Sequence, residues 1–431
     1  MSKWPTTSLR GKIHVKHGFP FKGEHFQSSG TYVVLTPGNF YEQGGFKRNA
    51  EKDKCYSETF PDEYLLQKGD IIVAMTEQAE GLLGSTALIP ESEKFLHNQR
   101  LGLITAQPGE VLPEFIYHLF KTYPVRDQIR RTSSGSKVKH TSPERIYDVH
   151  VPLPPVKEQS AIAEVLTTIE TKIALNHRIK GELEGMAKLL YDYWFVQYDF
   201  PLSAAQAAAL GKPRLAGKPY RTSGGKMVFN PTLKREIPEG WEVGKVSELC
   251  LLNHRTWPNK DHPDQVTYLD LANAKNGEIL SVQNFAWDEA PSRARRILTP
   301  GDTIIGTVRP GNRSFALVPN SEEILTGSTG FAVLTPKSPL YREFNYLSLT
   351  SESNINRLTT VASGAAYPAV NPEVVAAQAI AIPDRDLVKQ FHDTVASFFD
   401  LIERHRAQNQ ELTALRDWLL PMLMNGQVRV G

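Results

Sequence analysis

From Gln159 to Trp194, apolar residues recur at alternating four- and three-residue steps: Ile162, Leu166, Ile169 and Ile173, then Leu183, Ala187, Leu190 and Trp194. This is a coiled-coil seam with two polar seats at its middle, Asn176 and Lys180. A shift of 229 residues lands on Phe391, Val395, Phe398 and Ile402, then His405 and Asn409, then Leu412, Arg416, Leu419 and Leu423. The polar interruption returns in the same two seats. Each stretch predicts a helix of roughly 33 residues, about 50 Å long. A narrow apolar stripe needs a partner in water, and each helix is the obvious partner of the other. Centred antiparallel pairing sets seat i against seat 585 − i, so Asn176 faces Asn409 and Lys180 faces His405. The four residues then form a polar layer that fixes register, or they flank a solvated gap.

The flanking regions repeat as well. Residues 4–155 show short apolar strand patterns at Tyr32–Thr36, Asp70–Met75 and Gly102–Thr105, punctuated by Gly and Pro, and an amphipathic helix at Glu114–Thr122. The second region matches it in order. Pro300-Gly-Asp302 answers Lys68-Gly-Asp70, Glu343-Phe344 answers Glu114-Phe115, Ser363-Gly364 answers Ser134-Gly135, and Pro372 answers Pro143. The plan is globule, helix, globule, helix. The boundaries fall at 1–155, 156–200, 201–236, 237–383 and 384–431. Residues 202–236, rich in Ala, Gly, Pro and Lys, are expected to form a mobile connector or outer loop. Residues 76–98 and 308–326, which follow the shared Gly-Asp strand, have little in common, so the scaffold is duplicated while the loops differ.

Composition narrows the class without choosing a function. A chain of 431 residues with 40% hydrophobic and 22% charged content is ordinary for a soluble multidomain protein. Two distant cysteines, Cys55 and Cys250, suggest neither a disulfide framework nor a metal site. With no apolar run of spanning length and no signal-like start, a cytoplasmic location is expected. Tyr191, Trp194 and Phe195 are expected to form exposed apolar surface awaiting partners.

Catalytic patterns are missing. Gly225-Lys226 lacks the rest of a phosphate loop, and neither Asn230-Pro231 nor Asn371-Pro372 is followed by the aromatic of an adenine methyltransferase. Basic clusters are present instead. Between residues 121 and 140, Lys121, Arg126, Arg130, Arg131, Lys137 and Lys139 stand against Asp127 alone, a local charge of +5. Between 293 and 313, Arg293, Arg295, Arg296, Arg309 and Arg313 stand against Asp302, a local charge of +4. Arginine grips phosphate, or guanine bidentately, and Asn and Gln suit adenine. These clusters, with Gln78, Gln99 and Asn312, are therefore the candidate contacts to double-stranded DNA. Each residue taken singly also fits a solvated face.

The ordered motifs resemble the specificity subunit of type I restriction-modification enzymes. They are Pro152-Leu-Pro-Pro155 with Glu158-Gln159, Tyr193-Trp-Phe-Val196 with Asp199-Phe-Pro201, Ile237-Pro-Glu-Gly-Trp241, the paired Gly-Asp turns and the two Ser-Gly…Pro segments. Asp384-Arg-Asp-Leu-Val-Lys-Gln390 departs from the Pro-x-x-Glu-Gln approach at the second helix. The resemblance implies an α+β chain: two mixed α/β target recognition domains separated by two long antiparallel coiled-coil helices, with a pseudo-twofold internal repeat. It implies a noncatalytic subunit that reads a bipartite, asymmetric DNA site. Two adenine-methylating modification subunits and motor-nuclease restriction subunits would be its partners. S-adenosylmethionine, ATP and magnesium would belong to those partners, with no cofactor or metal in this chain. A coiled-coil scaffold without site-specific DNA binding is the rival expectation, and a single-chain enzyme the third.

Overall fold

The computed structural model describes residues 3–430 apart from 49, 78–80, 219, 221–222, 322 and 365–367. The chain divides into two compact units. Unit 1 comprises residues 1–175 and 408–431, and unit 2 residues 176–407. Each unit therefore contains one globular head and a part of both long helices.

The head of unit 1 is built on an antiparallel sheet in the order Ile13–His17, Leu101–Ala106, Ile71–Ala74, Thr86–Leu88. A second sheet runs Phe26–Gln27, Cys55–Tyr56, Tyr32–Val34, Phe95–Leu96, its last pair parallel. Ile72 and Ala74 alternate with Ile71 and Val73 along one strand and feed two different apolar clusters. That is why the strand is buried on both faces and reads as an unbroken apolar run. The head of unit 2 repeats the first sheet and has a second sheet of different strand order. Its antiparallel sheet runs Cys250–Leu252, Phe331–Pro336, Thr303–Gly306, Phe315–Leu317. Its second sheet runs Gln283–Ala286, Gln265–Leu269, Leu325–Ser328, Ala294–Leu298, with the middle pair parallel. Each head is closed by an antiparallel pair, Thr6–Ser8 with His150–Pro152 and Glu242–Lys245 with Ala379–Ile382, directly before a long helix.

The repeated Gly-Asp motif builds the same turn twice. Gly69 and Gly301 hold φ of 90° and 88°, the left-handed region that favours glycine. Asp70 Oδ2 accepts Gln67 N–H at 2.8 Å, and Asp302 Oδ2 accepts Thr299 N–H at 2.7 Å.

The long helices span Val156–Tyr191 and Arg385–Met424, 36 and 40 residues. The first continues into a π-helical turn over Asp192–Val196. Within unit 1, Ile162 and Leu166 share a core with Leu419 and Leu423. Within unit 2, the rings of Trp194 and Phe391 lie 5.5 Å apart. The pairs 162 with 423, 166 with 419 and 194 with 391 match the expected antiparallel register.

Two expectations are corrected here. Tyr191, Trp194 and Phe195 are buried in the unit 2 core rather than exposed. Trp241, 46 residues beyond Phe195, reaches that ring at 6.5 Å, edges onto Tyr198 at 5.3 Å and stacks on Phe200 at 6.0 Å. The expected loop at 202–236 has regular structure among its described residues. It forms a helix at Ala204–Ala209 and a hairpin of Met227–Asn230 with Arg235–Pro238, and it is anchored by Ser223 Oγ donating to Tyr198 O at 2.9 Å.

Candidate nucleic-acid interface

In both heads the Gly-Asp strand exits into a loop with the same neighbours. In unit 1 this loop lies between the helix Tyr123–Arg131 and a Ser-Gly hairpin. Met75 N–H donates to Arg100 O at 3.0 Å, and Thr76–Glu77 pairs with Lys139–His140. In unit 2 it lies between the helix Glu352–Val361 and the hairpin closed by Ser363 and Ala369. There Thr307 N–H donates to Gly330 O at 2.8 Å, and Arg309 N–H to Pro368 O at 2.7 Å. The topology thus brings loop, helix and hairpin together in the same way twice, and most of the basic residues fall on these three elements.

Their individual roles differ from one simple basic patch. Lys121 departs from the expectation most. Its side chain is 7% exposed, ion-pairs with Glu170 of the first long helix at 2.6 Å, and lies 3.7 Å from the Tyr117 ring centroid. Burial pushes its ammonium down to about 8. It fastens the head to the helix. Arg126 is also withdrawn: its guanidinium donates to the carbonyls of Glu42 and Gly81, and burial lowers its pKa. Arg130 approaches Glu77 at 3.7 Å, and the buried Glu77 carboxylate accepts N–H from Gly81, Leu82 and Leu83. Lys121, Arg126 and Arg130 line a cleft of about 620 Å3 in unit 1, together with His118, Glu170, Arg416 and Leu420.

Arg131 is exposed beside Asp127 at 2.9 Å. Lys137 is exposed in the Ser-Gly hairpin, and Lys139 lies half-buried on its strand. Gln99 is exposed in the turn before Leu101–Ala106, and Gln78 lies outside the described residues.

In unit 2, Arg309 and Asn312 are exposed in the loop, and Arg313 makes a two-pronged ion pair with Glu352, one prong 2.7 Å. Glu352 is held below the usual carboxylate range by that bond. Arg293, Arg295 and Arg296 lie at the neighbouring sheet edge. Arg293 O accepts Thr329 N–H at 2.8 Å, next to the Gly330 that binds Thr307. Arg295 sits at a β-bulge, its guanidinium 4.4 Å from the Trp287 ring centroid, and Arg296 donates to Thr256 at 3.2 Å. A bulge re-aims a side chain, and stacking immobilises it.

Sequence reasoning missed Arg100 and Arg145. Arg100 is exposed in the turn beside Gln99, and Arg145 donates to Ser134 Oγ at 2.9 Å and His140 O at 3.3 Å, bracing the hairpin. Neither belongs to a run of basic residues, the only signal available.

Asn409 Nδ2 donates to Ile173 O at 3.3 Å, and Asn176 is fully buried. Lys180 ion-pairs with Glu278 of the second head, and His405 is half-buried on the second helix. A head carboxylate supplies the countercharge that a histidine at that seat does not.

Among the described residues, no helix is long and apolar enough to cross a membrane. The family described as the type I restriction modification DNA specificity domain matches residues 1–185 and 238–414. The chain is 23% identical over 337 residues to the MjaIX specificity subunit of Methanocaldococcus jannaschii, covering 77% of this chain and 73% of that one. It is 22% identical over 407 residues to the HindI specificity subunit of Haemophilus influenzae, covering 84% and 87%. A type I restriction-modification S subunit from M. genitalium has a similar fold, with a TM-score of 0.60, 14% identity and coverage of 98% and 96%.

Proposed function

The chain belongs to the type I restriction-modification DNA specificity family, and from that premise we propose that it reads a bipartite, asymmetric site on double-stranded DNA, one half with each head. The observation that carries this reading is the duplicated head. The same order of strands in the Gly-Asp sheet, the same Gly-Asp turn and the same loop–helix–hairpin grouping appear twice, with unlike residues in the loops. One scaffold with two sets of side chains suits two different half-sites on one duplex.

A second repetition supports two copies of one partner. Among the exposed apolar residues on the long helices, Met186 and Leu189 lie in unit 2, and Leu415 and Trp418 lie in unit 1. Each pair differs by 229 residues, and Leu189 and Trp418 are 54% and 55% exposed. Apolar surface repeated in register fits one docking patch used twice. The partners in this reading are two modification subunits, joined by restriction subunits. The chemistry, with S-adenosylmethionine, ATP and magnesium, resides in them, and this chain contributes recognition and positioning.

In this reading the long helices set the gap between half-sites. Inserting four residues between Ile173 and Leu183, matched by four between Ile402 and Leu412, adds one turn, about 6 Å. The spacer is expected to lengthen by one to two base pairs while both half-sites stay the same. The proposal as a whole is tested by incubating the full chain, assembled with its modification subunit, with a random duplex library and labelled methyl donor. Enrichment of a two-part sequence with a fixed gap is expected. An assembled complex that enriches nothing would favour the scaffold reading.

A further inference from the structure

The loop of the second head contains a feature that no other basic segment shares among the described residues. Arg309 and Arg313 are both left-handed, with φ of 48° and 59°, and they bracket the helical turn Pro310–Asn312. Neither is glycine, so the backbone is strained at both ends of one short turn, and such strain persists only where the surroundings impose it.

The surroundings impose it from three directions. Arg309 N–H is held by Pro368 O at 2.7 Å, Arg313 O accepts Asn276 N–H at 2.9 Å, and Glu352 grips the Arg313 guanidinium. Within the turn, Asn312 N–H donates to Arg309 O at 2.8 Å and Arg313 N–H to Pro310 O at 2.9 Å. Pro310 is buried, and Gly311 and Asn312 are exposed at the tip. The Arg313 guanidinium is directed at Glu352, and Asn312 presents its amide at the tip.

We infer that Asn312 is a base-reading residue of the second head, for an adenine in the major groove, and that Glu352 is its positioning residue, acting through Arg313. This rests on the two-head reading of the DNA. A carboxamide offers one donor and one acceptor side by side, the pattern that matches adenine N6 and N7. The match needs an amide on a fixed backbone, and the bracket fixes the backbone that carries it. Glu352 is the first residue of the helix Glu352–Val361, so it ties the tip to a rigid element of the head rather than to another loop.

The test is methylome sequencing of cells that express the full chain, or one variant, with its modification subunit. The wild type is expected to give a two-part motif. Asn312→Ala is expected to make one A·T position of one half degenerate, leaving the other half and the gap intact. Glu352→Ala is expected to broaden that same position, while Glu352→Asp, which keeps the carboxylate, restores it. An unchanged motif in Asn312→Ala would overturn the inference. So would Glu352→Ala lowering methylation uniformly with the motif intact, which marks a merely structural role. A wild-type complex that is assembled yet yields no two-part motif would overturn the underlying reading itself, a result distinct from an unchanged motif in the variant.

Discussion

Unit 1 and unit 2 share the strand order of the Gly-Asp sheet and its turn geometry but attach head to helix by different chemistry. In unit 1 the attachment is polar. Lys121 pairs with Glu170, His118 meets Thr167 at 3.0 Å, and the buried Gln159 bonds Leu112 N–H and the carbonyls of Pro154 and Glu110. The residues 229 further on are Thr350, Phe399, Leu347 and Val388, and the last two pack in the apolar core of unit 2 with Phe399. Unit 2 places its charges elsewhere: fully buried Glu343 accepts from Arg342 at 2.7 Å and pairs with His392 at 2.6 Å. What the halves retain is backbone geometry, which a turn needs with few alternatives. What they exchange is side-chain complementarity, which has many solutions of similar cost.

The largest expected contrast tests one motif in two settings. Glu343→Ala leaves Arg342 and His392 without their buried partner and is expected to cost about 3–5 kcal/mol. Glu114→Ala, at the equivalent but exposed position, is expected to fall within about 0.5 kcal/mol. Denaturant melting of the full chain measures both, and equal costs would break the comparison.

Acid bears unequally on the two units. Burial lowers His97 and His118 of unit 1 from 6.5 to about 4. Between those values the unfolded chain holds the extra protons, so these groups withdraw stability as pH falls. The loss is about 2 kcal/mol each by pH 5. In unit 2, burial raises Glu184 and Glu403. The folded form then holds the extra protons, and their contribution grows as pH falls. Hydrogen exchange at pH 7 and pH 5 is expected to show unit 1 opening first on acidification.

The exposed stripe gives a contrast of equals. Trp418→Asp and Leu189→Asp are each expected to weaken one of two modification-subunit sites by about 30-fold or more. Each variant then forms a one-to-one complex at concentrations where the wild type is two-to-one, read by native mass. Loss of both subunits from one substitution would contradict separate, equivalent patches.

The smallest effect is an exchange. Lys121→Thr with Glu170→Phe gives unit 1 the residues of unit 2. Replacing a buried ion pair with packed residues is often near neutral, so the pair is expected to stay within about 1 kcal/mol. Lys121→Thr alone leaves Glu170 without its ion-pair partner and is expected to cost more.

The helix pair and its register were legible because the seam is periodic and repeats at a fixed interval. The Gly-Asp turns were legible because glycine marks positive φ. Lys121 and Arg126 were not. A cation in a basic run looks solvated, and the partner that buries Lys121, Glu170, is 49 residues away on another element. The burial of Trp194 and Phe195 escaped for the same reason, since the rings that cover them, Phe391 for both and Phe344 and Trp241 for Phe195, lie far off in the sequence. The two left-handed arginines carry no sequence signal at all, because only glycine or asparagine would have announced them.

The central claim is that two unlike heads on one duplicated scaffold read two unlike half-sites. It is tested most directly by methylome sequencing of cells expressing this chain with its modification subunit, beside a chain in which residues 237–383 are replaced by the same region of a relative with a different motif. The account predicts a two-part motif whose one half changes with the exchange while the other half stays the same. A motif that changes in both halves, or in neither, from an assembled and methylating complex would contradict it.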